Sequence, residues 1–244
     1  MEGGYAGNIQ YVIIAFMIDE VSAVIPAYNE VGNIEDVVSS IVELFSVIFN
    51  RYELIIINDG SNDGTEKIIR KLSEQNTNIK VIDFKVNRGY GVALWEGFQK
   101  ASLKYVFYTD SDGQFDIKDI KELLPLVEPA DMVIGYRINR NDNLLRRLLS
   151  RGYNFLVFLF FGIKCRDVNS SFKIFKREIV DSINLISNGF SVDAELVWKT
   201  KEKGYKITET GVRHFKRNCD SSKVKSSDII NTIRELIRIK KRGA

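Results

Sequence analysis

The chain has 244 residues, 45% of them apolar and 27% charged, with a formal net charge of +3. This length and apolar content fit one large α/β domain or two small ones, and the charged fraction is that of a soluble protein. Three prolines and no low-complexity tract argue against a disordered linker. The two cysteines, Cys165 and Cys219, lack metal-binding or redox spacing, which favours a reduced, cytoplasmic chain.

Positive charge is concentrated at the carboxyl end of the chain. Residues 213–244 contain ten Lys or Arg and three Asp or Glu, a net of +7, so residues 1–212 carry −4. A basic end favours an anionic partner, and a solvated helix face is the alternative. No recognised nucleic-acid-binding module accompanies it, so we do not expect a nucleic acid partner. We divide the chain into an N-terminal extension, 1–20, a main domain, 21–225, and a basic amphipathic helix, 226–244.

Strand-like and helix-like segments alternate through the first half of the chain. Strands are predicted at 21–26, 53–58, 80–84, 105–109 and 132–135. Helices are predicted between them, at 34–49, 65–72, 91–101 and 117–126. This alternation predicts an α/β fold of the Rossmann-like type, with a mostly parallel central sheet and helices on both faces. Ligands are then expected at the carboxyl ends of the strands.

The second half of the chain is less regular, and we expect it to build the acceptor side of the site. Helices are predicted at 146–163, 194–203 and 227–241. Strands are predicted at 171–175 and 206–212.

The most informative segment follows the predicted strand 105–109. Asp110 and Asp112 stand one residue apart there, and Gln114 follows two residues later. Side-chain oxygens at this spacing can reach one Mg²⁺ or Mn²⁺, and the end of a buried strand points them into the ligand-binding crevice. The metal would offset charge on a departing nucleoside diphosphate. A polar turn after a strand is the alternative.

Two further strand ends carry polar loops. Asp59 follows a long apolar run, so its carboxylate would face the crevice and accept hydrogen bonds from a base or ribose, although Asn-Asp-Gly is also a common turn. The segment 87–91, Asn-Arg-Gly-Tyr-Gly, opens a predicted helix. Its paired glycines would let backbone amides approach an anion, or they serve only to start the helix.

Eight segments follow one another in an order that points to a single family. They are IPAYNE (25–30), NDGSNDGT (58–65), NRGYG (87–91), TDSDGQFD (109–116), GYR (135–137), DVNSSFKIFKR (167–177), FSVDAELVWK (190–199) and GYKITETGV (204–212), which leads to RNCDSSK (217–223). The set resembles the inverting GT-A glycosyltransferases of family 2, within them the dolichol-phosphate mannosyltransferase-like group. The resemblance covers about Val21 to Lys223 and implies a GT-A fold.

The resemblance assigns roles to residues of these segments. It implies that Asp110 and Asp112 bind the metal, with Gln114 as a third ligand. The nucleotide-sugar-binding residues would be Pro26, Tyr28, Glu30, Asp59, Arg137 and Ser222. The catalytic residues would be Asp193 and Glu195 on the acceptor side, with Arg217 and Lys223 in a basic loop that closes over the phosphates.

Two positions depart from the family pattern. Asn58 stands where the family often has Asp, which leaves Asp59 as the expected ligand of this loop. Asp220 stands where the closing loop usually carries Gly.

The resemblance implies an inverting, metal-dependent hexosyltransferase with Mg²⁺ or Mn²⁺ as its cofactor. The donor would be a nucleoside diphosphate sugar, GDP-mannose or UDP-glucose, with mannose favoured, and the acceptor a polyprenyl or dolichyl phosphate. Such a phosphate is already ionised, so Asp193 would position it or stabilise charge on the sugar. With a hydroxyl acceptor, Asp193 would be the general base.

Two alternatives to this function remain open. One is a family 2 transferase that adds a sugar, such as glucose from UDP-glucose, to a saccharide or another hydroxyl acceptor. The other is a non-catalytic nucleotide-sugar-binding protein. The presence of Asp110, Asp112, Asp193 and Arg217 argues against the second.

A lipid acceptor requires the protein to approach a bilayer. The apolar segment 152–163 has twelve residues, fewer than the roughly 20 that span a bilayer. Because it follows Arg146, Arg147 and Arg151, it predicts an interfacial helix, with a buried core helix as the alternative. The amphipathic segment 229–239 would rest on anionic lipid or engage a membrane partner subunit. We therefore expect peripheral attachment at the cytoplasmic face of a membrane.

Overall fold

The structure, a computed structural model, describes residues 18–138, 144–215 and 226–243. Seven strands form one sheet, namely β1 (Glu20–Ala27), β2 (Arg51–Asn58), β3 (Ile79–Asp83), β4 (Tyr105–Tyr108), β5 (Met132–Ile138), β6 (Lys173–Lys176) and β7 (Ile207–Arg213). Their spatial order is β3-β2-β1-β4-β6-β5-β7. β6 runs antiparallel to β4 and β5, and the other neighbouring pairs are parallel. The predicted α/β fold with a mostly parallel sheet is confirmed.

Helices cover both faces of this sheet. They are α1 (Ile34–Ile48), α2 (Thr65–Gln75), α3 (Tyr90–Lys100), α4 (Ile120–Val127), α5 (Leu144–Phe161), α6 (Glu178–Ser182), α7 (Val192–Glu202) and α8 (Ser226–Gly243). One face carries α1, α2 and α4, and the opposite face carries α3, α5, α6, α7 and α8. The sequence did not predict α6, which has only five residues.

Strand β2 shows why the central strands consist of continuous apolar runs. Leu54, Ile55, Ile56 and Ile57 are all fully buried. Ile55 and Ile57 belong to the core cluster on the α3 side, whereas Leu54 and Ile56 belong to the cluster on the α1 side. Because helices cover both faces of the strand, this run is apolar on both faces.

The reversed strand β6 determines which loops meet at the ligand-binding edge. The carboxyl ends of the six parallel strands lie at one edge of the sheet, and the antiparallel pairing of β6 brings its amino end to that same edge. Lys173, the first residue of β6, is therefore opposite Tyr108, the last residue of β4. The segment that precedes β6 joins the polar loops that follow the parallel strands.

Both ends of the described chain contact the core. Ile18 is buried in the core, and the carbonyl group of Asp19 accepts a hydrogen bond from the Arg51 amide at 3.0 Å. At the other end, Leu236 and Ile239 of α8 are fully buried in the cluster that includes α5 and α7. These residues of both segments thus contact the core, and the division of the chain at 21 and 225 stays a prediction.

Helix α5 has one buried face and one exposed apolar face. Val157 and Phe161 are buried in the core, whereas Phe155 and Leu159 on the other side are 63% and 67% exposed. One face therefore packs as a core helix does, and the opposite face presents large apolar side chains to solvent. None of the helices in the described ranges has the length and apolar content that crossing a bilayer would require.

We predict opposite effects of one substitution in two helices. A Cβ atom at Gly97 of α3 would lie 2.4 Å from Val24 and 2.7 Å from Ile57, so Gly97→Ala should lower the free energy of unfolding by about 1–3 kcal/mol. The control is Gly152→Ala in α5, where no atom lies within 4 Å of the added carbon, and it should raise stability by up to about 1 kcal/mol. Urea titration followed by circular dichroism measures both. Equal effects would contradict the close packing of α3 on the sheet.

Candidate active site

The loops after β1 and β2 interlock at the ligand-binding edge. The amide of Asn29 donates to the Ser61 hydroxyl at 3.0 Å, and the amide of Glu30 donates to the Thr65 hydroxyl at 2.9 Å. Asn29 adopts a positive φ of 55°, which the exchange of hydrogen bonds between the loops holds in place. The two polar segments that the sequence singled out therefore form one structural unit.

Three residues predicted for the nucleoside pocket, Pro26, Tyr28 and Glu30, lie at the end of β1 and in the loop after it, and they differ in exposure. Tyr28 is 47% exposed, whereas the Pro26 carbonyl accepts a hydrogen bond from the buried Ser111 hydroxyl at 2.8 Å. Glu30 accepts a hydrogen bond from the Asn33 side chain at 2.8 Å. Pro26 thus ties the β1 loop to the acidic loop after β4, and Tyr28 is the residue of this group that a ligand can contact most freely.

Asp59 anchors the glycine-containing loop before α3. Its two carboxylate oxygens accept hydrogen bonds from the Arg88 and Gly89 amides at 2.7 and 3.0 Å, and the side chain is almost fully buried. The Gly91 amide donates to the Asn188 carbonyl group at 2.9 Å. The anion that the amides of this loop bind is therefore Asp59 itself. The binding of an external anion by this loop stays a prediction.

The hydrogen bonds of the neighbouring residue, Asn58, explain why this position departs from the family pattern. Its side-chain amide donates to Asp83 at 2.7 Å, and its oxygen accepts a hydrogen bond from the Ser61 amide at 3.1 Å. Asp83 also pairs with Arg70. A carboxylate at position 58 would face Asp83 directly, and like charges at that separation repel. The amide replaces this repulsion with a hydrogen bond.

Asp110 lies at the centre of the polar cluster at the end of β4. It accepts hydrogen bonds from the Tyr90 hydroxyl at 2.9 Å and from the Ser171 hydroxyl. Burial and the nearby charge of Asp112 raise the pKa of Asp110 from 3.8 to about 7, although both hydrogen bonds lower it, and Asp193 adds to the repulsion. Burial and the charges of Asp110 and Asp193 also raise the pKa of Tyr90, so its hydroxyl remains a donor.

Asp112 and Gln114 lie in the same turn. The Asp112 carboxylate accepts a hydrogen bond from the Gln114 backbone amide at 3.1 Å. The Gln114 side-chain nitrogen donates to the Phe215 carbonyl group at 2.9 Å, and the Phe215 amide donates back to the Gln114 carbonyl group at 2.7 Å. Gln114 thus ties this loop to the end of β7.

The donor set of this turn fits a hard divalent cation. Asp110 and Asp112 provide carboxylate oxygens, which Mg²⁺ and Mn²⁺ prefer, and their mutual repulsion is what a cation would relieve. Across the described ranges, no group of three or more His, Cys, Asp or Glu side chains has the arrangement of a complete metal site. A cation here would therefore complete its coordination with ligand or water oxygens, which is usual for Mg²⁺ bound with a diphosphate.

Asp193 is held by a buried ion pair that the sequence did not reveal. Lys173 Nζ lies 2.5 Å from Asp193 Oδ1, and both side chains are almost inaccessible to solvent. The Tyr108 hydroxyl donates to the same carboxylate oxygen. Lys173 also donates to the Tyr108 hydroxyl at 2.7 Å and to the Ser170 carbonyl group. Asp193 is therefore fixed in the first turn of α7, next to Asp110.

Glu195 is not part of this cluster. Residues two apart on a helix point in different directions, and Glu195 turns into the core beneath the segment 186–188. It accepts hydrogen bonds from the Ile186 and Ser187 amides and the Ser187 hydroxyl, and it pairs with Lys199 at 2.8 Å. The structure separates the two acidic residues that the sequence grouped on the acceptor side.

Arg137, a second positively charged residue besides Lys173, lies near the end of β5. Its guanidinium forms two hydrogen bonds with the buried Asp167 carboxylate, at 2.6 and 2.7 Å. The pair borders a cavity of about 190 Å³. Its other lining residues are Tyr136, Ser150, Arg151, Asn154 and Arg166. Three arginines thus line a small cavity beside the segment that leads to Ser171.

The predicted basic closing loop, with Arg217, Ser222 and Lys223, lies outside the described residues, as do Cys219 and Asp220.

Four residues of the cluster were missed by the sequence analysis, namely Tyr90, Tyr108, Ser171 and Lys173. Tyr90 and Ser171 lie inside segments that the sequence singled out, but nothing local indicates that they face Asp110. Lys173 carried a signal, because it is a charged residue between Phe172 and Ile174 in a predicted strand. A fully buried lysine in a strand requires a carboxylate partner.

We predict that Asp110→Asn changes how stability depends on pH. Without metal, folded Asp110 keeps its proton up to about pH 7, whereas the unfolded chain releases it near 3.8, so wild-type stability should fall as pH rises between these values. The variant should not show this fall in stability. The free energy of unfolding of the variant minus that of wild type should therefore increase from pH 5 to pH 8 in the presence of EDTA.

Asp36→Asn, at an exposed position of α1, is the matched control and should not alter the pH profile. Urea titrations at several pH values measure all three proteins. Parallel profiles for wild type and Asp110→Asn would show that Asp110 is ionised throughout.

Comparison with known proteins agrees with this geometry. The chain matches the model of "Glycosyl transferase family 2" over residues 22–183. Dodecaprenyl-phosphate galacturonate synthase of Rhizobium johnstonii is 28% identical over 90% of this chain and 66% of its own length. Dolichyl-phosphate beta-glucosyltransferase of Saccharomyces cerevisiae is 27% identical over 90% of this chain and 73% of its own length. The chain thus spans about two thirds of the length of the first of these relatives.

A solved structure supports the fold. Glucosyl-3-phosphoglycerate synthase from Mycobacterium tuberculosis, in complex with Mn²⁺ and uridine-diphosphate-glucose, aligns with a TM-score of 0.68 at 22% identity, covering 98% of this chain and 83% of that one. This likeness shows a common fold, which is the GT-A fold that the resemblance implied. Since the family match covers more than half of the chain, the protein is a glycosyltransferase and belongs to glycosyl transferase family 2.

Proposed function

We propose that this glycosyltransferase transfers a hexose from a nucleoside diphosphate sugar to a polyprenyl phosphate, with inversion at the anomeric carbon. The observation that carries the proposal is the position of Asp110 and Asp112 at the carboxyl end of β4, beside the first turn of α7. A leaving diphosphate is an anion, so this acidic edge suits it only together with a divalent cation. The polyprenyl-phosphate enzymes among the relatives support the acceptor.

Asp110 and Asp112 would hold Mg²⁺ or Mn²⁺, with the side-chain oxygen of Gln114 as a further ligand from the same turn. When bound, the ion would supply positive charge to the leaving diphosphate. The Mn²⁺ and uridine-diphosphate-glucose in the related fold support this assignment. Tyr28, with Pro26, Glu30 and Asp59 behind it, would form the nucleoside side of the site.

Asp193 would act as a fixed negative charge rather than as a base. The Lys173 ammonium and the Tyr108 hydroxyl both bind its Oδ1 atom, so this oxygen already has two protein donors. A polyprenyl phosphate is ionised at neutral pH and does not need a base to attack the sugar. The ion pair therefore supports a phosphate acceptor over a hydroxyl acceptor. Asp193 would position the acceptor or stabilise positive charge that develops on the sugar.

The arginine-lined cavity supports a phosphate on the acceptor side. Arg137, Arg151 and Arg166 border it, and guanidinium groups bind phosphate oxygens with well-defined geometry. The ion pair with Asp167 would hold the Arg137 guanidinium in place for this contact. From here the segment that contains Ser170 and Ser171 leads directly to Asp110.

The surface formed by α5 and α8 supports attachment to a membrane. Phe155, Phe158 and Leu159 of α5 are exposed, and Lys240 at the basic end of α8 lies over the Trp198 ring at 5.1 Å. α8 packs against α5, so apolar and basic side chains occur on neighbouring helices. Such a surface binds at the headgroup level of anionic bilayers. We place the protein at the cytoplasmic face of a membrane, on its surface or on a membrane partner subunit.

A transfer assay tests the function. The purified protein is incubated with GDP-mannose or UDP-glucose, Mn²⁺ and a short-chain prenyl phosphate in detergent, and the glycolipid product is measured. We expect product from one donor, with GDP-mannose favoured, and no product in EDTA. The prenol of the same chain length is the control acceptor and should accept no sugar. Equal transfer to the prenol would overturn the phosphate acceptor.

Asp112→Asn should lower kcat in this assay by about 100-fold or more, because the metal would lose one of its two carboxylates. Asp36→Asn makes the same chemical change on the exposed surface of α1 and should retain wild-type kcat. Full activity of Asp112→Asn would refute the metal assignment.

Flotation with liposomes tests the membrane surface. Wild type should float with vesicles that contain anionic lipid, and Phe155→Ser combined with Leu159→Ser should reduce the bound fraction severalfold, because the apolar side chains that enter the bilayer are lost. The control Val47→Ser, at a position that is 80% exposed on α1, should bind as wild type does. Equal binding of the double variant and wild type would refute the assigned surface.

A further inference from the structure

The segment 186–189, between α6 and α7, is held by two carboxylates. Each of its four consecutive backbone N–H groups donates to a glutamate. Glu195 accepts the first two at 2.8–3.1 Å, and Glu235 of α8 accepts the last two at 3.1 and 3.2 Å. Hydrogen bonds to ionised acceptors are about twice as strong as neutral ones, so the two glutamates fix the path of the segment.

The segment presses directly on the loop before α3. The Gly91 amide donates to the Asn188 carbonyl group at 2.9 Å. A Cβ atom at Gly89 would lie 2.4 Å from the Asn188 oxygen, and one at Gly91 would lie 2.2 Å from the Ser187 oxygen. The two backbones are in contact without intervening side chains. The segment 186–189 therefore limits the positions that this loop can take.

Tyr90 transmits the position of this contact to the acidic cluster. It lies between Gly89 and Gly91, and its hydroxyl donates to Asp110 at 2.9 Å. Its ring packs against Phe190, which directly follows the segment, with a centroid separation of 5.4 Å. The segment thus restricts Tyr90 in two ways, by contact with the backbone of Gly89 and Gly91 and by the packing of Phe190 on the Tyr90 ring.

Helix α8 holds Glu235 in place through the core. The neighbouring residue, Leu236, and Ile239 are fully buried, and the Lys240 ammonium lies over the Trp198 and Phe161 rings at 5.1 and 5.9 Å. Glu235 itself is partly exposed, so its contact with the segment 186–189 depends on the seating of α8.

From these contacts we infer that Glu235 is a positioning residue for the donor site, because it holds the segment 186–189 against the loop that places Tyr90 on Asp110. The inference rests on the proposed function only in treating Asp110 as part of that site. Glu195 secures the other half of the segment, which accounts for an acidic residue that the sequence placed among the catalytic groups. Helix α8 is thereby part of the framework of the active site.

Hydrogen–deuterium exchange tests the connection without any substrate. Glu235→Ala should increase exchange at least tenfold in the segment 186–189 and also at the Gly91 amide, since local opening governs exchange of such protected amides. Glu235→Gln keeps an acceptor oxygen and should restore part of the protection. The control is Arg234→Ala, which removes the exposed neighbouring side chain of α8 and should leave both regions as in wild type.

Faster exchange in the segment 186–189 alone, with Gly91 unchanged, would overturn the inference, because the segment would then move without the loop. The same would follow if Glu235→Gln exchanged as fast as Glu235→Ala, or if Arg234→Ala had the same effect. Should Glu235→Ala unfold, the comparison of Glu235→Gln with wild type decides, and faster exchange in the segment 186–189 with an unchanged Gly91 amide would overturn the inference.

Binding of Mn²⁺ alone, followed by the electron paramagnetic resonance of the free ion, adds a second readout. Glu235→Ala should weaken it severalfold, and should weaken it no further in a protein that already carries Tyr90→Phe, since residues acting through one contact are not additive. Additive effects would overturn the route through Tyr90.

Because exchange requires neither metal nor transfer, failure of every sugar donor would refute the proposed function and leave the exchange result intact.

Discussion

The site depends on one electrostatic constraint, which is the crowding of Asp110, Asp112 and Asp193 at one edge of the sheet. Burial and mutual repulsion work against three ionised groups in this space, and the raised pKa of Asp110 shows the strain that the crowding creates. The reversed strand β6 provides the compensating charge, since its direction carries Lys173 to this edge and into contact with Asp193. A parallel β6 would place Lys173 at the opposite edge and leave Asp193 buried without a cation.

Other carboxylates around the site are stabilised by backbone amides and serve as anchors. Asp59 binds the loop before α3, and Glu195 and Glu235 bind the segment that packs against that loop. Charged acceptors of this kind hold loops firmly, because each replaces several lost water contacts at once. The acidic residues thus fall into two classes. The anchors are saturated by protein donors, whereas Asp110 keeps unrelieved repulsion that a cation can remove.

The sequence predicted the fold well because central strands that are buried on both faces consist of continuous apolar runs, which are easy to recognise. The ends of these runs then show where the polar loops begin. Asp110 and Asp112 were found for this reason, whereas Asp193 was implied by the resemblance to family 2. The direction of β6 was not predictable, since Phe-Lys-Ile-Phe fits either orientation. The roles of Glu195 and Asp59 depend on which amides approach them, and these belong to segments 8–30 residues away. Lys173 alone offered a signal, since a charged residue in a buried strand requires a partner.

The contacts of the acidic residues bear on whether the acceptor arrives ionised or needs a general base. A general base must accept a proton during the reaction, and its usefulness falls as fixed positive charge stabilises its ionised form. The role proposed for Asp193 is constant charge rather than proton transfer, because Lys173 and Tyr108 both occupy one of its carboxylate oxygens. An acceptor that arrives ionised removes the need for a base and introduces a need for cations. In the proposed function, Arg137 and Arg151 at the neighbouring cavity would provide that charge.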